Sequence, residues 1–284
     1  MQNFRDIITF TRGIFQSLYF IKKYHIEVIF CKGGFVALPV VIAGKLLRRK
    51  IVVHESDVHP GLVNKIASRF ASAVFTGFDE VLPNTITVGQ ILSDDIITPL
   101  ENEGQGNFSF IKEKKPTVFI MGGSQGSKML YETFADLLQT NPVIASSFNF
   151  FITLGKLNTE LKPLFSQQKV HCFEFLSQKK MGELYQISDI CLARGGTTSL
   201  AEQKLFNIKS IIVPIPWTHD QEDNGKRYVQ HYNDILLDQT SPTFLQDMEQ
   251  IFLSLVDYRK PPVDKDILTE IQQAKNLILE EILK

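Results

Sequence analysis

The chain has 284 residues, enough for two domains or one large α/β barrel, and at 44% hydrophobic and 21% charged it is not a disordered or fibrous protein. Thirty Lys and Arg against 31 Asp and Glu leave a formal charge of -1, which argues against a global nucleic-acid binder while leaving room for a local basic face, and no nucleic-acid partner is expected. The three cysteines lie in apolar runs without metal-ligand spacing, and no run approaches the ~18 apolar residues that span a bilayer. The opening does not read as a signal peptide, and the expectation is a soluble or peripheral cytoplasmic protein with reduced core thiols.

Taken in chain order, Phe4 to Tyr24 reads as a helix with more apolar residues than one face can hold. Phe10, Phe15 and Phe20 stand among Arg5, Arg12, Lys22 and Lys23. Contact with an anionic membrane surface and packing against a further part of the domain both fit that pattern. Short apolar runs rich in β-branched and aromatic residues then alternate with helix-length segments, the pattern of a parallel sheet covered by helices. The strands predicted are Glu27–Lys32, Lys50–His54, Ala73–Thr76 and Thr85–Val88, then Thr117–Met121, Asn149–Leu154, Lys169–Phe175, Ile190–Ala193, Ser210–Pro214 and Asp234–Leu237. Between the two sets, Asp94–Lys115 carries Pro99, Gly104 and Gly106 and breaks the rhythm, which places a domain junction there. The expected domains are 1–93 and 94–284, with the final amphipathic helix, Asp264 to Leu283, free to pack back on the first. The device strand, Gly-Gly, helix recurs at Gly33-Gly34, Gly122-Gly123 and Gly195-Gly196. It implies two related open sheets whose carboxyl edges line a cleft.

Four segments at those edges carry candidate chemistry. Gly122-Gly123-Ser124-Gln125-Gly126-Ser127 follows a strand and opens a helix, so it is either a diphosphate cradle on a helix N-terminus or a tight turn with nothing bound. Arg194 to Glu202 is a second such turn, in which Glu202 either accepts two ribose hydroxyls or is a solvated helix carboxylate. Gln221 and Asn224 are three apart on a further helix; their amides suit sugar hydroxyls or serve the helix start. His54-Glu55 ends a strand and is either an acid–base pair or part of a capped loop. His219 has no partner at ligand spacing, and no metal is expected.

Together these residues resemble the MurG family of peptidoglycan glycosyltransferases. The family's Gly-Gly-aromatic turn followed by Pro is matched by Gly33-Gly34-Phe35 and Pro39. Its His-Glu segment followed by Pro-Gly-Leu and Asn is matched by His54-Glu55, Pro60-Gly61-Leu62 and Asn64. Its Gly-Gly-Ser-Gln-Gly loop stands at Gly122–Gly126, its Arg-x-Gly segment leading to Glu at Arg194–Glu202, and its Gln-x-x-Asn at Gln221–Asn224.

The resemblance implies an α/β GT-B architecture of two Rossmann-like domains and a hexosyltransferase without cofactor. The enzyme would move N-acetylglucosamine from UDP-N-acetylglucosamine to undecaprenyl-linked lipid I, forming lipid II. It would act in peptidoglycan synthesis, as a peripheral protein on the cytoplasmic side of the cell membrane. By the family's pattern Glu202 holds the ribose, Gln221 the sugar hydroxyls, the Gly122–Gly126 loop the diphosphate, and the backbone of Leu176 the uracil. Gly33, Gly34, Asn64, Arg194 and Asn224 complete the substrate-binding set, with Glu55 and His54 as candidate catalytic groups.

Two departures stand out. The family's Gly-Thr-Gly-Gly-His loop has no counterpart, and Ser56-Asp57 replaces the usual Gln-Asn. They lead to the expectation of an incomplete first domain, and of donor binding with little transfer unless another chain supplies that segment. A sugar-nucleotide epimerase of the same architecture is the remaining alternative.

Overall fold

The computed structural model describes residues 2–79, 81–101, 108, 115–166, 169–264 and 266–284, so Gly104 and Gly106 of the expected junction lie outside the described residues. The chain divides into two compact units, Met1–Ile91 with Leu268–Lys284, and Leu92–Ile267.

The first unit opens with helix α1 (Gln2–Lys23) and continues through β1 (Val28–Cys31), α2 (Leu38–Leu46), β2 (Lys50–Glu55), α3 (Leu62–Ala67), β3 (Ala73–Thr76) and β4 (Ile86–Thr87). Its four strands are parallel in the order β1-β2-β3-β4, with Cys31 paired to Val53 and Glu55 to Thr76. One face of the sheet buries Ile29, Ile51 and Val53 against Ile21 of α1 and Val41 of α2.

The second unit holds α4 (Asp94–Glu101), β5 (Thr117–Met121), α5 (Lys128–Thr140), α6 (Pro142–Ser147), β6 (Asn149–Thr153), β7 (Val170–Phe173), α7 (Gln178–Ile187), β8 (Ile190–Ala193), α8 (Thr197–Leu205), β9 (Lys209–Ile212), α9 (His219–Tyr232), β10 (Ile235–Leu236) and α10 (Phe244–Ser254). Its six strands are parallel in the order β10-β9-β8-β5-β6-β7. Strands β5 and β8 are buried at every residue, which is why their sequences are unbroken apolar runs rather than alternating ones.

All ten predicted strands are present, most trimmed by a residue or two where the loops begin. The last helix, α11 (Asp266–Leu283), is counted from Leu268 with the first unit. There Ile278 packs against Val52 and Phe75, and Glu281 pairs with Lys50 at 3.0 Å. Among the described residues no helix is long and apolar enough to cross a membrane.

Candidate functional site

In the second unit, β5, β6 and β7 run outward in one direction and β8, β9 and β10 in the other. The order therefore reverses between β5 and β8, and a crevice opens at the carboxyl ends of strands that part in this way. Met121 and Ala193, the last residues of β5 and β8, are paired in register. The loops that follow them, Gly122–Ser127 and Arg194–Gly196, start side by side.

The first loop is pinned from beneath. The Gly122 N–H donates to the Tyr131 hydroxyl at 2.9 Å, and that hydroxyl donates to the Thr153 carbonyl at 2.8 Å. The Gly126 N–H closes a turn on the Gly123 carbonyl at 3.0 Å. Gly126 has φ +80°, and a Cβ there would run into the Leu154 carbonyl oxygen, so both conformation and space require glycine. The loop leads through Ser127 into α5, whose first-turn N–H groups and positive dipole end favour an anion. Two of the loop's amides are thus spent on its shape.

Arg194 braces that loop from β8. Its guanidinium donates to the Val213 carbonyl at 2.9 Å, to the Pro214 carbonyl at 3.3 Å and to Gln239 Oε1 at 2.6 Å, and its other arm donates to Ser127 Oγ. Among the described residues Nε is sealed without a partner, and burial lowers the group's pKa. Arg194, expected to bind substrate, is occupied in tying the loop to the end of β9.

Glu202 lies in the second turn of α8, and Oε2 accepts a hydrogen bond from the Tyr185 hydroxyl at 3.2 Å. Burial pushes its carboxyl up to about 7, and the Tyr185 bond offsets part of that rise. Gln221, in the first turn of α9, accepts from the Ile215 N–H at 3.2 Å through Oε1, which leaves its amide N–H₂ as the donor end. Asn224 is only 1% exposed, so the open amide of the pair is Gln221. Leu176 follows β7 with its side chain buried, beside an exposed Phe175. Sequence reasoning included Ser127 in the glycine loop but passed over Tyr131, Tyr185 and Gln239, which support these residues from other elements. Only Ser127, which precedes a helix, carried a local signal.

The first-unit residues form a separate knot. The Glu55 carboxylate, 3% exposed, accepts from the Asp57 N–H at 3.0 Å, the Gly61 N–H at 2.9 Å and Asn64 Nδ2 at 2.9 Å. His54 is fully buried; Nε2 donates to the Gly89 carbonyl at 3.0 Å, and burial pushes its pKa down. Asn64 is buried under Gly33, whose Cβ position lies 3.0 Å from its Nδ2, while Gly34 faces open space. These side chains staple the loop after β2 to β1 and α3, the capped-loop arrangement rather than a free acid–base pair. Among the described residues no cluster of His, Cys, Asp or Glu could hold a metal ion.

The two units, each a sheet of parallel strands with its loops at the carboxyl edge, have a GT-B-type glycosyltransferase fold. The structure is similar to MurG of Acinetobacter baumannii, with a TM-score of 0.72 at 21% identity over 97% of this chain and 78% of that one. It is also similar to a UDP-GlcNAc 2-epimerase from Neisseria meningitidis bound to UDP-GlcNAc, with a TM-score of 0.71 at 14% identity over 96% and 81%. At these identities both likenesses are of fold alone. Residues 1–76 match the N-terminal domain of glycosyltransferase family 28 and residues 117–276 match its C-terminal domain. The chain belongs to glycosyltransferase family 28. A Bacillus cereus protein named UDP-N-acetylglucosamine--N-acetylmuramyl-(pentapeptide) pyrophosphoryl-undecaprenol N-acetylglucosamine transferase 2 is 32% identical over 220 residues, 76% of this chain. The chain spans 61% of the length of that relative.

Proposed function

We propose that the protein is an inverting hexosyltransferase of peptidoglycan synthesis, taking N-acetylglucosamine from UDP-N-acetylglucosamine to the muramoyl 4-hydroxyl of lipid I. The observation that carries this reading is the pairing in register of β5 and β8. It sets a glycine loop on a helix N-terminus beside the helix that bears Glu202. Family membership and the name of the Bacillus cereus relative support the choice of sugar and acceptor. In the reaction the acceptor oxygen bonds to the sugar's anomeric carbon as its bond to UDP breaks, and the acceptor proton passes to a base. The amides at the start of α5 stabilise the charge that grows on the leaving diphosphate. Glu202 takes the ribose hydroxyls, Gln221 the sugar hydroxyls and the Leu176 backbone the uracil.

Work on lipid I would bring the protein to the cytoplasmic face of the membrane and into cell-wall growth, shape and division. Helix α1, with Phe15, Tyr19 and Phe20 exposed beside Lys22 and Lys23, suits an anionic lipid surface.

Calorimetry with UDP-N-acetylglucosamine tests the donor site. Glu202→Ala should weaken binding by ~1–3 kcal/mol through loss of charge-assisted hydrogen bonds, and equal affinity in the variant would remove Glu202 from the site. Trp217, the chain's single tryptophan, is 80% exposed in the loop that leads to Gln221, so its emission reports on that loop independently.

A second reading, donor binding with little transfer, is favoured by the first-unit knot, where the hydrogen bonds of His54 and Glu55 are taken up within the unit, by Gly89 and by Asp57, Gly61 and Asn64. A positioned base contributes typically ~10²–10⁴-fold in rate. A radiolabelled transfer assay on a soluble lipid I analogue separates the two readings. Turnover that Glu55→Gln abolishes would return Glu55 to the role of base.

A further inference from the structure

Glu202 is a half-buried carboxylate on α8. Among the described residues it forms no ion pair, and the one side chain that donates to it is Tyr185. That hydroxyl meets Oε2, while Oε1 has no partner and is not among the sealed polar atoms. Tyr185 itself is fully buried on α7, its ring 5.7 Å from Phe119 and 5.7 Å from Phe206. Its hydroxyl also lies 3.2 Å from Met121 Sδ. A phenol has one proton, and a carboxylate accepts it far better than a thioether does. The bond therefore runs to Glu202.

We propose that Tyr185 is the positioning residue of the donor site: its buried hydroxyl holds Glu202 by one oxygen, aiming the carboxylate and favouring the form that receives the ribose hydroxyls of a uridine diphosphate sugar. The proposal rests on the donor-binding reading above.

The chemistry of the diol explains the need. Two ribose hydroxyls donate, so their partner must be an acceptor at both oxygens, which the ionised carboxylate is and the protonated acid is not. Burial works against the ionised form and raises the carboxyl to about 7; the Tyr185 bond works for it. The other titratable groups near Glu202 are held elsewhere. Cys191 on β8 is a buried thiol, with its pKa raised by burial. Lys204, two residues along α8, is paired with Asp234 at 2.6 Å. The Arg194 guanidinium is committed to Ser127, Gln239 and the carbonyls of Val213 and Pro214. Donor affinity is thereby set to rise as the pH climbs through neutrality, with burial raising the midpoint and the Tyr185 bond drawing it back down.

The experiment compares wild type with Tyr185→Phe and Glu202→Gln by calorimetry, using UDP-N-acetylglucosamine from pH 5.5 to 8.5, where this ligand's own charge is constant. Tyr185→Phe keeps the ring contacts, and a melting curve confirms the fold. The expected result is wild-type affinity that increases with pH and a flat profile in Glu202→Gln. Tyr185→Phe should bind about tenfold more weakly at pH 7, with its midpoint displaced upward. A UDP-sugar with 2′,3′-dideoxyribose should show little difference between wild type and Tyr185→Phe. Unchanged affinity and midpoint in Tyr185→Phe overturn the proposal while leaving the donor site standing. Equal weakening at every pH and for the dideoxy ligand also overturns it, since that is the mark of a purely structural residue. Failure of wild type to bind UDP-N-acetylglucosamine at all overturns the donor-binding reading and this proposal together.

Discussion

The two units are built from the same strand–glycine–helix device and bury it to different degrees. In the second, helices cover six strands and aromatic rings interlock at the centre, with Phe134 5.3 Å from Phe150 and 5.9 Å from Phe252. In the first, four strands carry a small core, and α1 offers it little beyond Ile21 and Leu18, while Ile7 is 62% and Phe15 67% exposed. The glycine loops differ likewise. Gly126 is wedged against Leu154, whereas Gly34, at a similar φ of +82°, has nothing within 4 Å. The second unit spends its apolar surface on a closed core that fixes its loops; the first keeps apolar surface on display.

The sharpest way to break that contrast is by truncation of aromatic side chains. Phe134→Ala should cost about 3–5 kcal/mol by leaving a cavity that the packed rings cannot fill. Phe15→Ala should change stability by less than about 0.5 kcal/mol. Denaturant unfolding of both variants checks the pair, and comparable losses would mean that the exposure of α1 is not its state in solution.

The glycines give the next largest effect. Gly126→Ala combines left-handed strain with a backbone collision and should cost about 2–4 kcal/mol, with donor binding lost. Gly34→Ala meets strain alone, about 1–2 kcal/mol. Thermal melts of the two variants read the difference.

A smaller effect follows from Glu202. Its folded pKa is raised from 4.5 to about 7, so the fold favours the protonated acid. The stability this adds is complete below pH 4.5 and is lost as the pH rises through 7. After solvent screening it is on the order of 1 kcal/mol. Melting temperatures of unliganded wild type and Glu202→Gln between pH 4 and 8 should diverge in that window, with the wild type falling as pH rises.

The smallest change in stability, with the clearest change in behaviour, is expected on α1. Phe15→Asp with Lys22→Glu should leave the melt within about 0.5 kcal/mol while removing salt-sensitive co-sedimentation with anionic vesicles. Unchanged co-sedimentation would take α1 out of any membrane contact.

Sequence alone was enough to locate the strands, since a strand buried on both faces has to be an unbroken apolar run, as Thr117–Met121 and Ile190–Ala193 are. It also located the glycine loops, because a positive φ at a strand-to-helix turn selects glycine locally. Residue roles were less legible. Arg194, Glu55 and Asn64 stand in segments that suggest ligand contacts, yet Glu55 accepts from Gly61 in its own loop, while Arg194 donates to Ser127 and Asn64 accepts from Cys31, partners that only folding brings near.

The chain's periodicity and punctuation thus determined two α/β units of parallel strands and the edge at which chemistry could occur, because those signals act over a few residues. Tertiary structure decided which polar groups are left to meet a ligand. Tyr185 and Glu202 are 17 positions apart on different helices, and Ser127 and Arg194 are 67 apart. A hydrogen bond across such a span depends on strand order and register, which no local pattern encodes.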